Sequence, residues 1–401
     1  MQFAQRIDDQ MDSNLEALLA APAAGQVSFA GGLPDPQLFP ERELSSAFSQ
    51  ALTTAGAQCL QYASAAGYEP LRQKIAHFLR RDGVPASTNT VMLTQGAQQA
   101  LDLTARLFIN PGDGLVVEGP TYAGALAAFD AYQPHYLSIP VRSDGMDMTI
   151  LRQTLEQHPV KLLYTVPDFQ NPTGTVMSLR KRKQLLALAR EFDFIILEDA
   201  PYRSLRYRGI GLPTLRELDT DDRVIHVGSF SKILSPGLRL GWLTATPALL
   251  SRLITLKSGA DLETSNLMMR AIDSYLNTND LGQHIRQLRS TYAAKQEAMS
   301  TALQAGLPQG VGCSQPDGGF FLWVTLPEGC DSERILSRCR DHVTFVPSTT
   351  LYAARNDRRG IRLAFTNPST DDIQRGCAEL CNSIRQELVM VNSTKQLQQR
   401  N

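Results

Sequence analysis

The chain has 401 residues, 43% hydrophobic and 20% charged, with a net charge of −1. That length and balance suit a soluble protein of about two or three domains, and they argue against nucleic acid or an anionic membrane as the main partner. No apolar run approaches a membrane span, and the N-terminal order of residues is not that of a signal peptide, so the expected location is cytoplasmic.

Taken in order, residues 1–25 predict a short helix (Met11 to Ala20) followed by a loop. Ser28–Pro40 is too rich in Gly and Pro for regular structure. It reads either as a linker or as a loop whose Gly31 and Gly32 let backbone approach a ligand closely. From about residue 45, helix and strand patterns alternate. Leu71, Ile75 and Phe78 fall at helical spacing, Val91–Leu93 is a short strand, and Gly96-Ala97-Gln98 opens a helix running to Phe108. Further strands are expected at Leu115–Glu118, Lys161–Val166, Phe194–Glu198, Val224–Gly228 and Leu240–Thr244, with Leu179–Phe192 the clearest helix between them. The alternation predicts an α/β fold, a mainly parallel sheet sandwiched by helices, with ligands at the carboxyl ends of its strands.

Residues 245–305 read mostly as helix. Beyond them, short strands (Gly319–Val324, Thr344–Pro347, Arg362–Phe365) mix with helices (Ser332–Arg340, Thr370–Val389), which predicts a smaller α+β domain. The expected division is an N-terminal segment (1–45) packing with the small domain, a large domain (46–285), the small domain (286–390) and a loosely ordered polar tail (391–401). The six cysteines show no Cys-x-x-Cys spacing, and two thiols at Cys377 and Cys381 are too few for a metal site, so free thiols and no metal are expected.

Four stretches can carry chemistry, each with an ordinary alternative. Gly96-Ala97-Gln98 is either a turn or a phosphate seat at a helix N-terminus. The Asn171-Pro172 stretch after Lys161–Val166 is either a plain turn or a way to offer the Asn171 amide to an oxygen. Asp199, with Tyr202 three residues on, is either a helix cap or a carboxylate for a protonated ring nitrogen. In HVGSFSKILSPGLRLGW (226–242), Ser229, Ser231, Lys232 and Arg239 suit a phosphate, and Lys232 can form a Schiff base with an aldehyde such as pyridoxal phosphate (PLP).

These pieces, with AGGLPDPQLFP, LQYASAAGYEPLR, TQGAQQAL, EGPTYAGAL, GGFFLW and IRLAF, stand in the order found in one family. The chain resembles class I/II aminotransferases of fold type I, and is most similar to their 2-aminoadipate and kynurenine aminotransferase subgroup. The resemblance spans residues 29–365. It implies a PLP-dependent enzyme that moves an amino group from an L-amino acid to a 2-oxo acid by a ping-pong route. Lys232, Asp199 and Tyr202 are then catalytic: Lys232 bonds to the cofactor and shuttles a proton, Asp199 pairs with the ring nitrogen, and Tyr202 and Asn171 meet the ring oxygen. Tyr122 stacks on the ring. Ser229, Arg239 and the Ala97 and Gln98 amides hold the phosphate, with Tyr62 contributed from a neighbouring subunit, which implies a homodimer. The implied substrate-binding set is Gly32, Asn171, Arg362 for the α-carboxylate, Phe320 (with Phe321) for the side chain, and Glu16.

The sequence departs from the family twice. Ala97 stands where a serine is common, which removes a hydroxyl worth about 0.5–1.5 kcal/mol. Glu16, in Ser13-Asn14-Leu15-Glu16-Ala17, stands where 2-aminoadipate enzymes carry an arginine for the distal carboxylate. It therefore favours a neutral, aromatic or basic amino donor, unless Glu16 faces solvent and decides nothing. Lyases and decarboxylases share the cofactor machinery, but Arg362 favours an intact α-carboxylate and hence transamination. A regulator fusing a winged helix to this fold would need roughly 50 residues ahead of the motifs, and they begin near residue 29.

Overall fold

The structure is a computed structural model that describes residues 23–354 and 356–398. Glu16 and the helix expected at Met11 to Ala20 lie outside the described residues. After β1 (Val27–Ser28) come two helices, Glu41–Ala55 and Glu69–Arg81. The second buries Leu71, Ile75, Ala76 and Leu79. Phe78, expected in that stripe, is only half-buried beside them. A one-residue turn of the apolar face toward Leu79 accounts for the difference.

The large sheet has eight strands: β2 (Val91–Thr94), β3 (Gly114–Gly119), β4 (His135–Arg142), β5 (Gly145–Met146), β6 (Val160–Thr165), β7 (Ile195–Asp199), β8 (Val224–Ser229) and β9 (Gly241–Thr244). Their order is β2-β9-β8-β7-β6-β3-β4-β5. From β4 to β8 every neighbour is parallel, whereas β9 runs antiparallel to both β8 and β2, and β5 folds back on β4. The central strands are buried along nearly their whole length, as helices on both faces require. Helices Gly96–Phe108 and Leu179–Phe192 are among those covers. Leu179–Phe192 is held at its start by the Ser178 side chain, which accepts from the Lys181 N–H.

Strands β6 and β4 lie on opposite sides of β3, so the direction of winding switches beside β3. A crevice at the carboxyl ends follows from that switch. Tyr122 follows β3, Asn171 follows β6, Asp199 ends β7, and Lys232 follows β8.

Three helices fill the next stretch, Pro247–Asp261, Asn266–Thr278 and Leu281–Gly306. Beyond them, β10 (Gly312–Cys313), β11 (Phe321–Thr325), β12 (Val343–Thr344), β13 (Val346–Pro347) and β14 (Gly360–Ala364) follow. An antiparallel four-stranded sheet of order β10-β11-β14-β13 is packed with helices Ser332–Cys339 and Thr370–Gln398. The last helix runs well past Val389, through part of the stretch read as a loose tail. β1 pairs in parallel with β12, which ties the N-terminal segment to this C-terminal region. None of the six cysteines, all among the described residues, is in a disulfide. Among the described residues, no cluster suits a metal ion and no helix is long and apolar enough to cross a membrane.

Candidate active site

Strand β8 delivers Ser229 to the sheet's carboxyl end, and a single tight turn (Phe230–Lys232) then aims Lys232 back over it. The Ser229 side chain fixes that turn by accepting from the Ser231 N–H at 3.0 Å and donating to the Ser231 hydroxyl at 2.8 Å. Lys232 enters a cleft of about 560 Å³. Gly32, Ala97, Gln98, Tyr122, Asn171, Asp199, Tyr202, Ser229, Arg239, Phe321 and Arg362 line it too. Residues separated by more than 300 positions thus meet because β14 and the N-terminal segment close over the ends of the large sheet.

Lys232 Nζ donates to the Gly32 carbonyl at 2.8 Å. Loss of bulk water, then the charges of Arg362 and Arg239, lower its pKa to about 8 despite the opposing pull of Asp199. Asp199 is buried, and burial raises its pKa to about 6. Its Oδ2 accepts from the Tyr164 hydroxyl at 2.9 Å, while its Oδ1 has no protein partner. Tyr202 is buried, its phenol pushed up by that burial, and it hydrogen-bonds Asn171. Asn171 Oδ1 also accepts from Arg362 Nη1 at 3.1 Å.

Arg362 stands on β14, buried, with Nη2 donating to the Ala30 carbonyl and its guanidinium 4.6 Å from the centre of the Phe321 ring. Burial lowers its pKa to about 10, so it stays charged at neutral pH. Its Nε has no protein partner. Phe321 approaches the Gly32 backbone so closely that a Cβ at residue 32 would lie 2.7 Å from the ring, which is what that glycine permits.

Helix Gly96–Phe108 starts at the cleft, with Ala97 and Gln98 of its first turn lining it, where a helix leaves N–H groups without an intrahelical partner. Gly96 adopts φ +70°, and a Cβ there would lie 2.7 Å from Arg239 Nη2. A glycine lets the guanidinium rest on the helix start, where Arg239 Nη2 donates to the Gln95 carbonyl at 3.2 Å.

Two expected residues sit elsewhere. Phe320 is fully buried behind the cleft wall, its ring 5.3 Å from that of Tyr202 and 5.4 Å from that of Tyr292. It still lies 5.5 Å from Lys232 Nζ, but Phe321 is the residue that faces the space. Tyr62 is 76% exposed on the outer surface and does not line the cleft of its own chain. Tyr164 lines the cleft and was not anticipated. A lone phenol inside the apolar run of β6 was the signal available.

The residues fit PLP. An unpartnered Asp199 oxygen suits a ring N–H, a helix start with Arg239 and the Ser229 hydroxyl suits a phosphate dianion, and a lysine of lowered basicity suits an aldehyde.

Known proteins agree. Residues 29–380 match the family Aminotransferase class I and II. Aromatic-amino-acid aminotransferase 1 of Thermococcus litoralis is 39% identical over 93% of this chain and 91% of its own. The 2-aminoadipate transaminase of Thermus thermophilus is 36% identical over 94% of each chain. Among solved structures, Pyrococcus horikoshii kynurenine aminotransferase superposes with a TM-score of 0.90 at 38% identity, covering 96% of this chain and 97% of that one. The chain therefore belongs to the class I and II aminotransferases, and it is a PLP-dependent aminotransferase of fold type I.

Proposed function

We propose that the amino donor is an L-amino acid with a neutral or aromatic side chain, that a 2-oxo acid is the acceptor, and that two copies of the chain form the working enzyme. The charge inventory of the cleft carries the donor reading. Among the described residues that line it, the cations are Lys232, Arg239 and Arg362. With PLP bound, Lys232 would serve its aldehyde, Arg239 its phosphate and Arg362 the α-carboxylate, which leaves none of these three for a distal carboxylate. Phe321, Leu33 and Pro236 offer apolar walls instead.

PLP, when bound, supplies a ring that accepts electrons from the substrate Cα. The protein does the rest. Arg362 grips the α-carboxylate with a planar fork and keeps it from leaving, aided by Asn171. Asn171 and Tyr202 would hold the ring oxygen, Tyr122 would cover the ring, and the Ala97 and Gln98 amides would join Ser229 and Arg239 at the phosphate. Lys232 Nζ, already a weakened base, takes the α-proton and returns it.

The names of relatives support both an aromatic donor and, as a second reading, 2-aminoadipate. The test is kcat/KM for phenylalanine, leucine, lysine, glutamate and 2-aminoadipate with 2-oxoglutarate, in the wild type and in Glu16→Arg. Phenylalanine or leucine should lead, with parallel double-reciprocal plots from the two half-reactions. If 2-aminoadipate is the best donor of the wild type, the charge inventory has missed a cation and the proposal is wrong.

A further inference from the structure

The two oxygens of Asp199 are treated unequally. Oδ2 takes the Tyr164 hydroxyl at 2.9 Å, and Oδ1, equally buried, meets no protein donor. Tyr164 comes from the neighbouring strand. The β6/β7 register sets it opposite Leu197, two residues before Asp199, so its phenol reaches along the sheet to the strand end. The ring is fully buried and packed edge-on against Phe129, with centroids 5.4 Å apart. Burial, then the Asp199 charge, hold the phenol far above its usual range, so it donates at every working pH. The carboxylate cannot turn without leaving a buried hydroxyl unpaired, which is costly.

We infer that Tyr164 is a positioning residue for the cofactor's ring nitrogen: its hydroxyl fixes one Asp199 oxygen so that the other is presented to the ring. The inference rests on the assignment of Asp199 to that nitrogen. Without the bond the carboxylate is free to rotate and becomes more basic, drawing the ring proton toward itself. Both changes weaken the ring as an electron acceptor.

The test uses the PLP-loaded enzyme and Tyr164→Phe, which removes one oxygen and keeps the packing. A hydrogen bond to a charged group sets the expected loss in kcat at about tenfold to a hundredfold, with KM for the donor held within about twofold. The nitrogen NMR resonance of isotope-labelled PLP should move toward its unprotonated position, and 4-aminophenylalanine at 164, which keeps a donor, should restore it. Asp199→Asn must move the same resonance, and adding Tyr164→Phe to it should cost little more.

An unchanged resonance in Tyr164→Phe overturns the inference, as does an equal loss of kcat in the Asp199→Asn background. If Asp199→Asn itself leaves the resonance in place, the assignment of Asp199 falls and takes the inference with it. If Asp199→Asn moves it and Tyr164→Phe does not, only Tyr164 falls. Should Tyr164→Phe fail to fold, 3-fluorotyrosine at 164 keeps the shape and strengthens the donor. An unmoved ring-nitrogen resonance there overturns the inference equally.

Discussion

A lysine that must bond to an aldehyde at neutral pH has to be uncharged part of the time, and an ordinary lysine near pKa 10.4 seldom is. In this cleft Lys232 is lowered to about 8, by desolvation first and by Arg362 and Arg239 next. The neutral fraction then rises tenfold per pH unit below that value and saturates above it. The association rate of PLP with the cofactor-free protein should therefore climb up to about pH 8 and level off, and Lys232→Ala should lack the visible band of the bound cofactor. A rate still climbing steeply above pH 9 would mean that Lys232 keeps ordinary basicity. Lys232 was legible because hydroxyls, a cation and a strand end lie together in sequence. Tyr164 was not, because its meaning depends on a partner from another strand, 35 residues away. The Phe320–Phe321 pair was half legible. Neighbours in an extended chain face opposite ways, and only the β11/β14 pairing decides that Phe321 faces the cleft.

At the scale of elements, periodicity gave the helices well, and Leu179–Phe192 has the bounds its apolar spacing suggests. The two-residue strands β5 and β10 have no period to read, the single strand expected at Thr344–Pro347 is divided between β12 and β13 in different sheets, and the antiparallel entry of β9 is a matter of tertiary pairing. Gly96 joins sequence to element most directly. Its φ of +70° is strained for any side chain, and the missing Cβ is where Arg239 lies. Gly96→Ala should displace the guanidinium from the helix start and cost about 1–3 kcal/mol in backbone strain. Both effects fall on the phosphate seat. The dissociation constant of PLP should rise about tenfold or more, and Arg239→Ala should add little to it, since the two changes disturb one contact. Calorimetric titration of PLP into the three cofactor-free variants measures this. An affinity within about twofold of wild type in Gly96→Ala would remove the glycine from the argument.

On the scale of the molecule, one chain holds a cleft whose phosphate end is open. Arg239 is exposed there, and Tyr62, whose stretch resembles a phosphate contact, stands on the outer surface. Leu52, Leu60 and Leu262 are exposed large apolar residues as well, and the Ala63 N–H donates to Glu263, which ties the Tyr62 loop to the Leu262 turn. Exposed apolar side chains beside such a loop are what the proposed contact between two copies would cover. A two-fold axis through it would carry each Tyr62 toward the other copy's phosphate end, the relation that the resemblance of the Tyr62 stretch implies. Hybrid dimers test it. Lys232→Ala has no nucleophile but keeps Tyr62, and Tyr62→Ala keeps the nucleophile but lacks the phenol. If the sites are shared, a hybrid of the two contains one complete site, built from Lys232 of one copy and Tyr62 of the other. Random mixing in equal amounts then restores about a quarter of wild-type activity per chain, because half the dimers are hybrids with one good site of two. The assay is run at PLP concentrations that leave Tyr62→Ala undersaturated, so that its own contribution stays small. A mixture no more active than the mean of its separate components would show that each chain's site is complete without its neighbour.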